Sequence, residues 1–268
     1  PATAMPPAPE PGLPAPAPGG ATAKPPALAA AASANAARTA LLIEALSYIG
    51  RFRAKIVVVK YGGAAQQHEP VKLSFAHDVV LLQSLGMLPV IVHGGGPEVS
   101  RAMKAMGQEA VFVDGLRVTT PEGLAVTEMV LSGHINKELV ALLNAQGGRA
   151  VGISGKDGPT LRARKLVHPK GIDLGLVGEI EAVDPALLRL LLREGFIPVL
   201  SPLAMGADGT TYNINADSAA SRIAAALQAE KMIFMTDVDG VLKDGRLVSS
   251  LTAAEALELI DRGTISGG

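Results

Sequence analysis

The chain has 268 residues, 48% of them hydrophobic, with a formal net charge of -1, no cysteine and 3% aromatic residues. This length and apolar content can bury a sizeable core, and the absence of cysteine excludes disulfides, thiolate metal sites and cysteine nucleophiles. The balanced charge, the few aromatic residues and the lack of any apolar run near the ~20 residues of a membrane span argue against nucleic-acid and membrane partners.

Residues 1–37 form an Ala/Pro-rich leader whose only charged residues are Glu10 and Lys24. Because it has no periodic apolar face, the composition predicts disorder. A nearly acid-free leader before a folded domain, here residues 38–268, is compatible with an organellar transit peptide, although such peptides are usually richer in Arg and Ser. A low-complexity tail accounts for the same composition.

Residues 39–53 are predicted to form an amphipathic helix, because apolar residues recur there at helical spacing. The residues that make this stripe are Leu41, Leu42, Ala45, Leu46 and Ile49. The helix precedes the first core strand and stands outside the alternation that follows. Its apolar stripe therefore needs a partner, either on its own domain or on another subunit.

From there on, predicted strands alternate with predicted helices. Short apolar runs predict strands at residues 56–59, 88–92, 150–153, 196–200 and 232–235. A proline near the start and a glycine past the end mark the helices between them: Pro70 and Gly86, Pro97 and Gly107, Pro121 and Gly147, Pro185 and Gly195. The alternation predicts a three-layer αβα sandwich around a mostly parallel sheet, interrupted by a β-rich insertion at residues 160–183 that could form a flap.

Two glycine turns follow the first two strands. Lys60 precedes Gly62 and Gly63, and His93 precedes three consecutive glycines, Gly94, Gly95 and Gly96. Glycine turns and helix starts bring N–H groups close to an anion, so the two turns could hold two anions against each other. A lysine beside an ordinary turn accounts equally for the first, and His93 is expected to be structural. Neither the P-loop motif nor the dinucleotide fingerprint occurs at the first strand.

Polar residues follow in three further loops. Arg117 can act as a fork for a carboxylate or as an ordinary surface salt-bridge partner. Asn215 suits the N-cap of a helix and Asp217 its first turn, whereas Asn213 lacks such an explanation and can face a ligand. Residues 236–241 (TDVDGV) follow a strand with two carboxylates and a glycine. Residue chemistry alone leaves a metal site, a nucleotide-binding loop and a capped turn open for this last loop.

Five segments in this order and spacing resemble the acetylglutamate kinases of the amino acid kinase family, from about residue 39 to the end: residues 60–63, 93–96, 114–119, 212–217 and 236–240. The first two are typical of the whole family, and the third and fourth indicate the acetylglutamate branch. The resemblance implies transfer of the γ-phosphoryl group of ATP to the γ-carboxylate of N-acetyl-L-glutamate, with Mg²⁺, in arginine biosynthesis. Two alternatives are a related acylated-aminoadipate kinase and a non-catalytic amino-acid or nucleotide sensor on the same fold.

The resemblance also implies a role for each matched residue. Lys60 would stabilise the transition state, and Asp217 would orient the catalytic cations. Substrate would be held by the glycine turn, by a guanidinium at its α-carboxylate and by an amide at its acetamido group: Gly95, Gly96, Arg117 and Asn213. The nucleotide would lie against Gly62, Gly63, Thr236, Asp237, Val238, Asp239, Gly240 and Val241. No dedicated protein metal ligand is expected.

Regulation is a further implication of the resemblance. The helix at residues 39–53 resembles the extra N-terminal helix of arginine-inhibited members, which interlaces dimers into a hexamer, a trimer of dimers. The chain is therefore expected to be a feedback-inhibited hexamer and, if plant-like, to bind the PII signalling protein. Its location would be the chloroplast if the leader is a transit peptide and the cytoplasm otherwise.

The last predicted element is a helix at residues 253–262. Thr252 and Glu255 form a capping box before it, and Gly263 ends it. In the family, a Gly-Gly pair like residues 267–268 is followed by a second catalytic lysine and by the rest of the arginine site. Lys231 and Lys243 do not replace that lysine. We therefore expect the sequence to be C-terminally incomplete, nearly inactive as written, and to leave an apolar surface open.

Overall fold

The computed structural model describes residues 26–62, 66, 68–236, 238, 240–243 and 245–265, and side chains from residue 35 onward. Gly63, Asp237, Asp239 and residues 1–25 of the predicted leader lie outside the described residues. The chain divides into two compact units, Pro1–Tyr48 and Ile49–Gly268. Among the described helices, none combines the length and the apolarity that a bilayer crossing requires.

Helix α1 spans Pro26–Phe52 and begins well before the predicted start at Thr39. Residues 26–37, which the composition assigned to a disordered leader, are helical in the structure. Alanine has the highest helix propensity and proline is tolerated in a first turn, so an Ala-rich segment joined to an amphipathic helix extends it. Three apolar side chains of the predicted stripe, Leu41, Leu42 and Leu46, are more than half exposed, whereas Ile49 is partly buried.

The second unit contains the predicted strands together with additional short strands. The strands are β1 (Ile56–Tyr61), β2 (Leu88–His93), β3 (Phe112–Val113), β4 (Leu116–Arg117), β5 (Ala150–Ser154), β6 (Leu161–Lys165), β7 (Gly178–Val183), β8 (Ile197–Ser201), β9 (Leu203–Met205), β10 (Thr211–Asn213), β11 (Lys231–Phe234), β12 (Leu242–Lys243) and β13 (Arg246–Leu247). The helices after α1 are α2 (Glu69–Ser84), α3 (Gly96–Ala105), α4 (Pro121–Glu128), α5 (Asn136–Ala145), α6 (Ala186–Arg193), α7 (Ala216–Leu227) and α8 (Ala253–Asp261).

A parallel sheet in the order β11-β1-β2-β8-β5 forms the centre of the unit. Its apolar strands are covered on both faces, as a parallel sheet requires. On one face Val57 and Val59 pack with α2 and α5, and on the other Val58 and Val90 pack with α6 and α7. The predicted three-layer sandwich and its parallel strands are confirmed, with small shifts at the strand ends.

A second sheet, in the order β10-β9-β6-β7, forms the insertion. Because β9 begins directly after β8, this sheet starts at the carboxyl edge of the central one. Strand β6 ends at Lys165, and Leu166 N donates to Val177 O at 2.9 Å just beyond it. Isolated bridges pair Thr119 with Gly175 and Val177 with Asn213, so the insertion brings β10 beside the loop that follows β4.

The predicted long helix between Pro121 and Gly147 is interrupted. A π-helical segment, Met129–Ile135, separates α4 from α5. Its buried residues, Leu131 and Ile135, pack against Val99 and Met103 of α3. Single π turns within helices are frequent at functional sites, and this one lies beside the second glycine turn.

Helix α8 begins with the predicted capping box. Thr252 Oγ1 accepts from Glu255 N at 3.2 Å, and Thr252 N donates to Glu255 Oε2 at 2.7 Å. The region around it exposes apolar side chains, and β11 is the last strand on its side of the central sheet. The exposed large apolar residues are Phe234, Val238, Leu242, Leu247, Leu257 and Ile260.

Candidate active site

The two glycine turns lie side by side at the carboxyl edge of the central sheet. In the parallel register of β1 and β2, Tyr61 is the partner of His93. Gly94 N donates to Tyr61 O at 2.8 Å, so the second turn is bonded to the last residue of β1, which directly precedes Gly62. The parallel pairing of neighbouring strands thus brings both N–H-rich turns to one place.

Lys60 and Asp217 meet beside these turns. Lys60 Nζ lies 3.1 Å from Asp217 Oδ1, an ionic contact whose angles do not make it a hydrogen bond. The Lys60 ammonium also approaches Gly62, where an added Cβ would lie 3.0 Å from Nζ. Gly62 therefore leaves the space that the ammonium occupies.

The start of α7 places Asp217. Asn215 caps the helix as predicted, its side chain accepting from Asp217 N and Ser218 N at 2.9 Å each. The first turn lies against the second glycine turn, since a Cβ added at Gly94 would be 3.8 Å from Ala216 Cβ. Among the described residues, Asp217 Oδ1 is a buried oxygen without a hydrogen-bond donor.

A cavity of about 180 Å³ brings together all four predicted substrate residues: Gly95, Gly96, Arg117 and Asn213. Apolar side chains from the π segment, α3 and the insertion complete its wall, among them Leu131, Val99 and Val177. A small cavity with an apolar wall and few polar groups is typical of small-molecule sites.

Arg117 is buried in this wall, with 8% of its surface exposed. Its Nη2 donates to Gly96 O at 2.7 Å and to Ser100 Oγ at 2.9 Å, and its guanidinium stacks 4.6 Å from the Phe112 ring centroid. Burial lowers the pKa of Arg117. None of the described carboxylates forms an ion pair with it, which disfavours the surface salt-bridge interpretation. A buried cation without a counter-ion is a candidate site for an anionic ligand group.

Asn213 is joined to Arg117 through one residue. Asn213 Nδ2 donates to Thr119 Oγ1 at 3.3 Å, and Thr119 Oγ1 donates to Arg117 O at 3.0 Å. Thr119 is fully buried. It belongs to the matched segment at residues 114–119, but the sequence predicted no role for it. Only the pairing of the insertion with the loop after β4 brings these residues together.

None of the described residues of the predicted nucleotide loop, residues 236–241, lines the substrate cavity. This loop follows β11, the neighbour of β1, and Met235 N donates to Lys60 O at 2.9 Å. Thr236, Val238, Gly240 and Val241 are the described residues of this loop, and Val238 is 62% exposed. The backbone thus connects Lys60 to the start of the loop.

The described residues suit a Mg²⁺ ion that arrives with a nucleotide. None of them form a group of three or more His, Asp or Glu side chains able to hold a metal. Mg²⁺ commonly takes one or two carboxylates together with phosphate oxygens and water. Asp217, which lies beside Lys60 and has an oxygen that lacks a hydrogen-bond donor, fits this arrangement.

Several known proteins with sequences similar to this chain are acetylglutamate kinases. The acetylglutamate kinases of Nitrosomonas eutropha and Nitrosospira multiformis are 52% and 54% identical to the chain over 235 residues, 85% of this chain and 80% of each relative. Among solved structures, N-acetylglutamate synthase from Neisseria gonorrhoeae, complexed with coenzyme A and N-acetyl-glutamate, is 31% identical with a TM-score of 0.73, over 83% of this chain and 51% of that one.

Other comparisons concern the fold and the family. Giardia carbamate kinase, 16% identical, has a TM-score of 0.56 over 79% of this chain and 84% of that one, and so shares the fold. The model of the amino acid kinase family matches residues 55–268, which include every strand of the central sheet and both glycine turns. The chain is therefore a kinase that belongs to the amino acid kinase family.

Proposed function

We propose that the chain transfers the γ-phosphoryl group of ATP to the γ-carboxylate of N-acetyl-L-glutamate. The observation that carries this proposal is the cavity of about 180 Å³ that is lined by a buried arginine without a carboxylate partner, by an asparagine and by the second glycine turn. The relatives named acetylglutamate kinase, at 52% and 54% identity, support the same substrate. So does the related gonococcal synthase, which was solved with N-acetyl-glutamate bound.

Each polar group of the cavity suits one part of this substrate. The Arg117 guanidinium can bind the α-carboxylate, for which its planar fork is well suited. Asn213 can donate to and accept from the acetamido group. The γ-carboxylate then extends toward the glycine turn and Lys60, where the phosphoryl group arrives.

The chemistry needs positive charge rather than a base. A γ-carboxylate is already ionised at neutral pH, so no proton has to be removed before its oxygen attacks the γ-phosphorus. As that P–O bond forms, the bond between the γ-phosphorus and the β–γ bridging oxygen breaks, and ADP leaves. The Lys60 ammonium, held by Asp217 at 3.1 Å, and glycine N–H groups can stabilise the charge on the transferring group. Mg²⁺ bound with the nucleotide would neutralise phosphate charge.

We place the nucleotide along the loop that follows β11. The bond from Met235 N to Lys60 O keeps the beginning of this loop beside the catalytic lysine. The backbone N–H groups of Gly240 and Gly62 would then lie near the phosphates, and the Val238 N–H, which donates to Thr236 Oγ1 at 3.4 Å, would exchange that bond for a phosphate oxygen. Hydrogen exchange tests this placement: these amides should exchange more slowly when the nucleotide and Mg²⁺ are added.

An assay with ATP and two candidate acceptors, N-acetylglutamate and N-acetyl-aminoadipate, tests the reaction. Hydroxylamine traps an acyl phosphate as a hydroxamate, so hydroxamate should form with ATP and N-acetylglutamate. Faster turnover of N-acetyl-aminoadipate would favour the aminoadipate alternative, and absence of ATP turnover with either would favour a sensor. The assay should include the sequence with any native continuation past Gly268, where the second lysine is predicted.

We further propose that arginine inhibits the enzyme and that α1 joins subunits into a hexamer. The exposed apolar side chains of α1, Leu41, Leu42 and Leu46, are the observation that supports the assembly. The structure of the gonococcal synthase complexed with L-arginine, 28% identical with a TM-score of 0.70, supports arginine binding on this fold. Deleting residues 1–53 should lower the mass measured by light scattering, and an unchanged mass would contradict the assembly. Binding of PII and a plastid location stay predictions from the sequence.

A further inference from the structure

A buried polar pair, His93 and Asn136, lies beneath the second glycine turn. His93 is the last residue of β2 and is fully buried, and Asn136 is the first residue of α5 with 1% of its surface exposed. Neither side chain lines the substrate cavity. Buried polar side chains require partners, and the partners of these two include the backbone of the glycine turn.

The hydrogen bonds determine which nitrogen of His93 carries the proton. His93 Nδ1 lies 2.9 Å from Gly94 O, and because a carbonyl oxygen can only accept, Nδ1 must be the donor. Burial lowers the pKa of His93 to about 4, so the ring is neutral and Nε2 is an acceptor. Asn136 Nδ2 lies 3.2 Å from Nε2 and supplies that donor.

Other bonds fix the orientation of the Asn136 amide. Its Nδ2 donates to Val199 O at 2.9 Å, and its Oδ1 accepts from Lys137 Nζ at 3.0 Å. A flipped amide would place the Asn136 oxygen, an acceptor, against two other acceptors, the Val199 carbonyl oxygen and the unprotonated Nε2 of His93. The arrangement therefore allows one orientation of the amide and one tautomer of the imidazole.

The Gly94 carbonyl receives a second hydrogen bond. Gln66 Nε2 donates to Gly94 O at 3.2 Å and to Tyr61 O at 3.4 Å, which connects both glycine turns through one side chain. Because a trans peptide is planar, its C=O and N–H point in opposite directions. With Gly94 O held by His93 and Gln66, the N–H of Gly95 points away from them, and Gly94 and Gly95 both line the substrate cavity.

The π segment closes the remaining side of this peptide. A Cβ added at Gly95 would lie 2.2 Å from Ile135 Cδ1 and 2.8 Å from Leu131 Cδ2. Ile135 directly precedes Asn136, so one helical segment supplies both the wall against Gly95 and the amide that orients His93.

We propose that His93, Asn136 and Gln66 are positioning residues, which hold the Gly94–Gly95 peptide with its carbonyl toward the protein interior and its N–H toward the substrate cavity. The role rests on the proposed phosphoryl transfer, in which this N–H donates to the reacting γ-carboxylate or phosphoryl group. A donor held in place before substrate arrives needs no reorganisation during the reaction.

Two substitutions of His93 separate positioning from mere packing. The amide of Asn reaches the place of the imidazole Nδ1, whereas the longer Gln places its amide near Nε2. His93→Asn therefore keeps a donor for Gly94 O, and His93→Gln loses it. Asn144→Ala is the control, because Asn144 lies on α5 like Asn136 but forms hydrogen bonds with Ala150 N and O, away from the glycine turn.

The first readout does not depend on activity. When only glycine carries the labels, ¹³C at the carbonyl and ¹⁵N at the amide, an NMR spectrum that correlates ¹³C′ with the next ¹⁵N shows signals from Gly-Gly peptide bonds alone. The signal that disappears in Gly94→Ala is the one from the Gly94–Gly95 peptide. This correlation should shift in His93→Gln, shift less in Asn136→Leu, and stay in place in His93→Asn and Asn144→Ala. An unmoved correlation in His93→Gln would overturn the proposal, and one unmoved in Asn136→Leu would remove Asn136 from it.

The second readout is turnover. His93→Gln should lower kcat for N-acetylglutamate about 10- to 100-fold with the KM for ATP unchanged, and His93→Asn should stay within about threefold of wild type. Equal losses in the two folded variants would mean that His93 acts by packing alone and would overturn the proposal. If the wild-type protein does not phosphorylate N-acetylglutamate, the proposed function fails, whereas the NMR measurement still decides whether the peptide is held as described.

Discussion

The substrate cavity and the region after β11 differ in how their residues are held. In the cavity wall, Arg117 is 8% exposed and donates to Gly96 O and Ser100 Oγ. After β11, Val238 and Leu242 are 62% and 51% exposed, and β12 and β13 form a separate two-stranded sheet. Burial with satisfied hydrogen bonds fixes side chains before a ligand binds, so substitutions in the cavity should affect the KM for N-acetylglutamate far more than those after β11.

The largest effect is expected at Lys60. Lys60→Ala should lower kcat more than about 100-fold with little change in either KM, because a charge aimed at the transition state contributes mainly there. Steady-state kinetics measure this. Lys55→Ala is the matched control, since Lys55 lies just before the same strand and pairs with Glu230 at 3.6 Å. A kcat within about tenfold of wild type, ~1.4 kcal/mol, would contradict the role of Lys60.

Arg117→Ala should chiefly raise the KM for N-acetylglutamate, by about 30- to 100-fold, because it removes a charged hydrogen-bond donor to the α-carboxylate. The KM for ATP should change little. Arg117→Lys should recover only part of the loss, since an ammonium lacks the planar fork. Arg101→Ala removes an exposed arginine that pairs with Glu98 at 2.9 Å and serves as control. Equal effects on both KM values would argue against a substrate-specific role.

Gly95→Ala should lower the free energy of unfolding by about 1–3 kcal/mol, because the new methyl group would overlap Ile135 and Leu131. Gly50→Ala provides the contrast. Gly50 lies within α1 and an added Cβ meets no atom within 4 Å, so this change should stabilise the helix by about 0.5–1 kcal/mol. Denaturant unfolding measures both. Equal stability of the two variants would mean that the π segment yields to the added methyl group.

The smallest loss of stability or activity is expected at Thr252. Thr252→Ala removes the capping box of α8 and should cost about 1 kcal/mol of stability, as loss of an N-cap typically does. The KM for N-acetylglutamate should not change. A rise in that KM would show that the region after β11 and the substrate cavity are energetically coupled, contrary to the contrast drawn between them.

Much of the fold follows from local sequence patterns. The alternation of apolar runs with helices bracketed by Pro and Gly predicts the central sheet, because burial on both faces of a parallel strand demands a continuous apolar run. Both N-caps, at Asn215 and Thr252, were predictable because a cap depends on residues within one turn. The start of α1 was not predicted, since an Ala-rich tail reads as low complexity although alanine favours helix.

The sequence by itself determined the parallel sheet, the two glycine turns and the helix caps, because these depend on residues a few positions apart. Only the tertiary structure decided that Arg117 is buried without a carboxylate, that Thr119 joins it to Asn213, and that the π segment presses on Gly95. It also decided that Asn136 orients His93 from 43 positions further along the chain. The physical reason is that burial and hydrogen-bond partners depend on which distant segments pack together, and no periodicity within a segment encodes its neighbour.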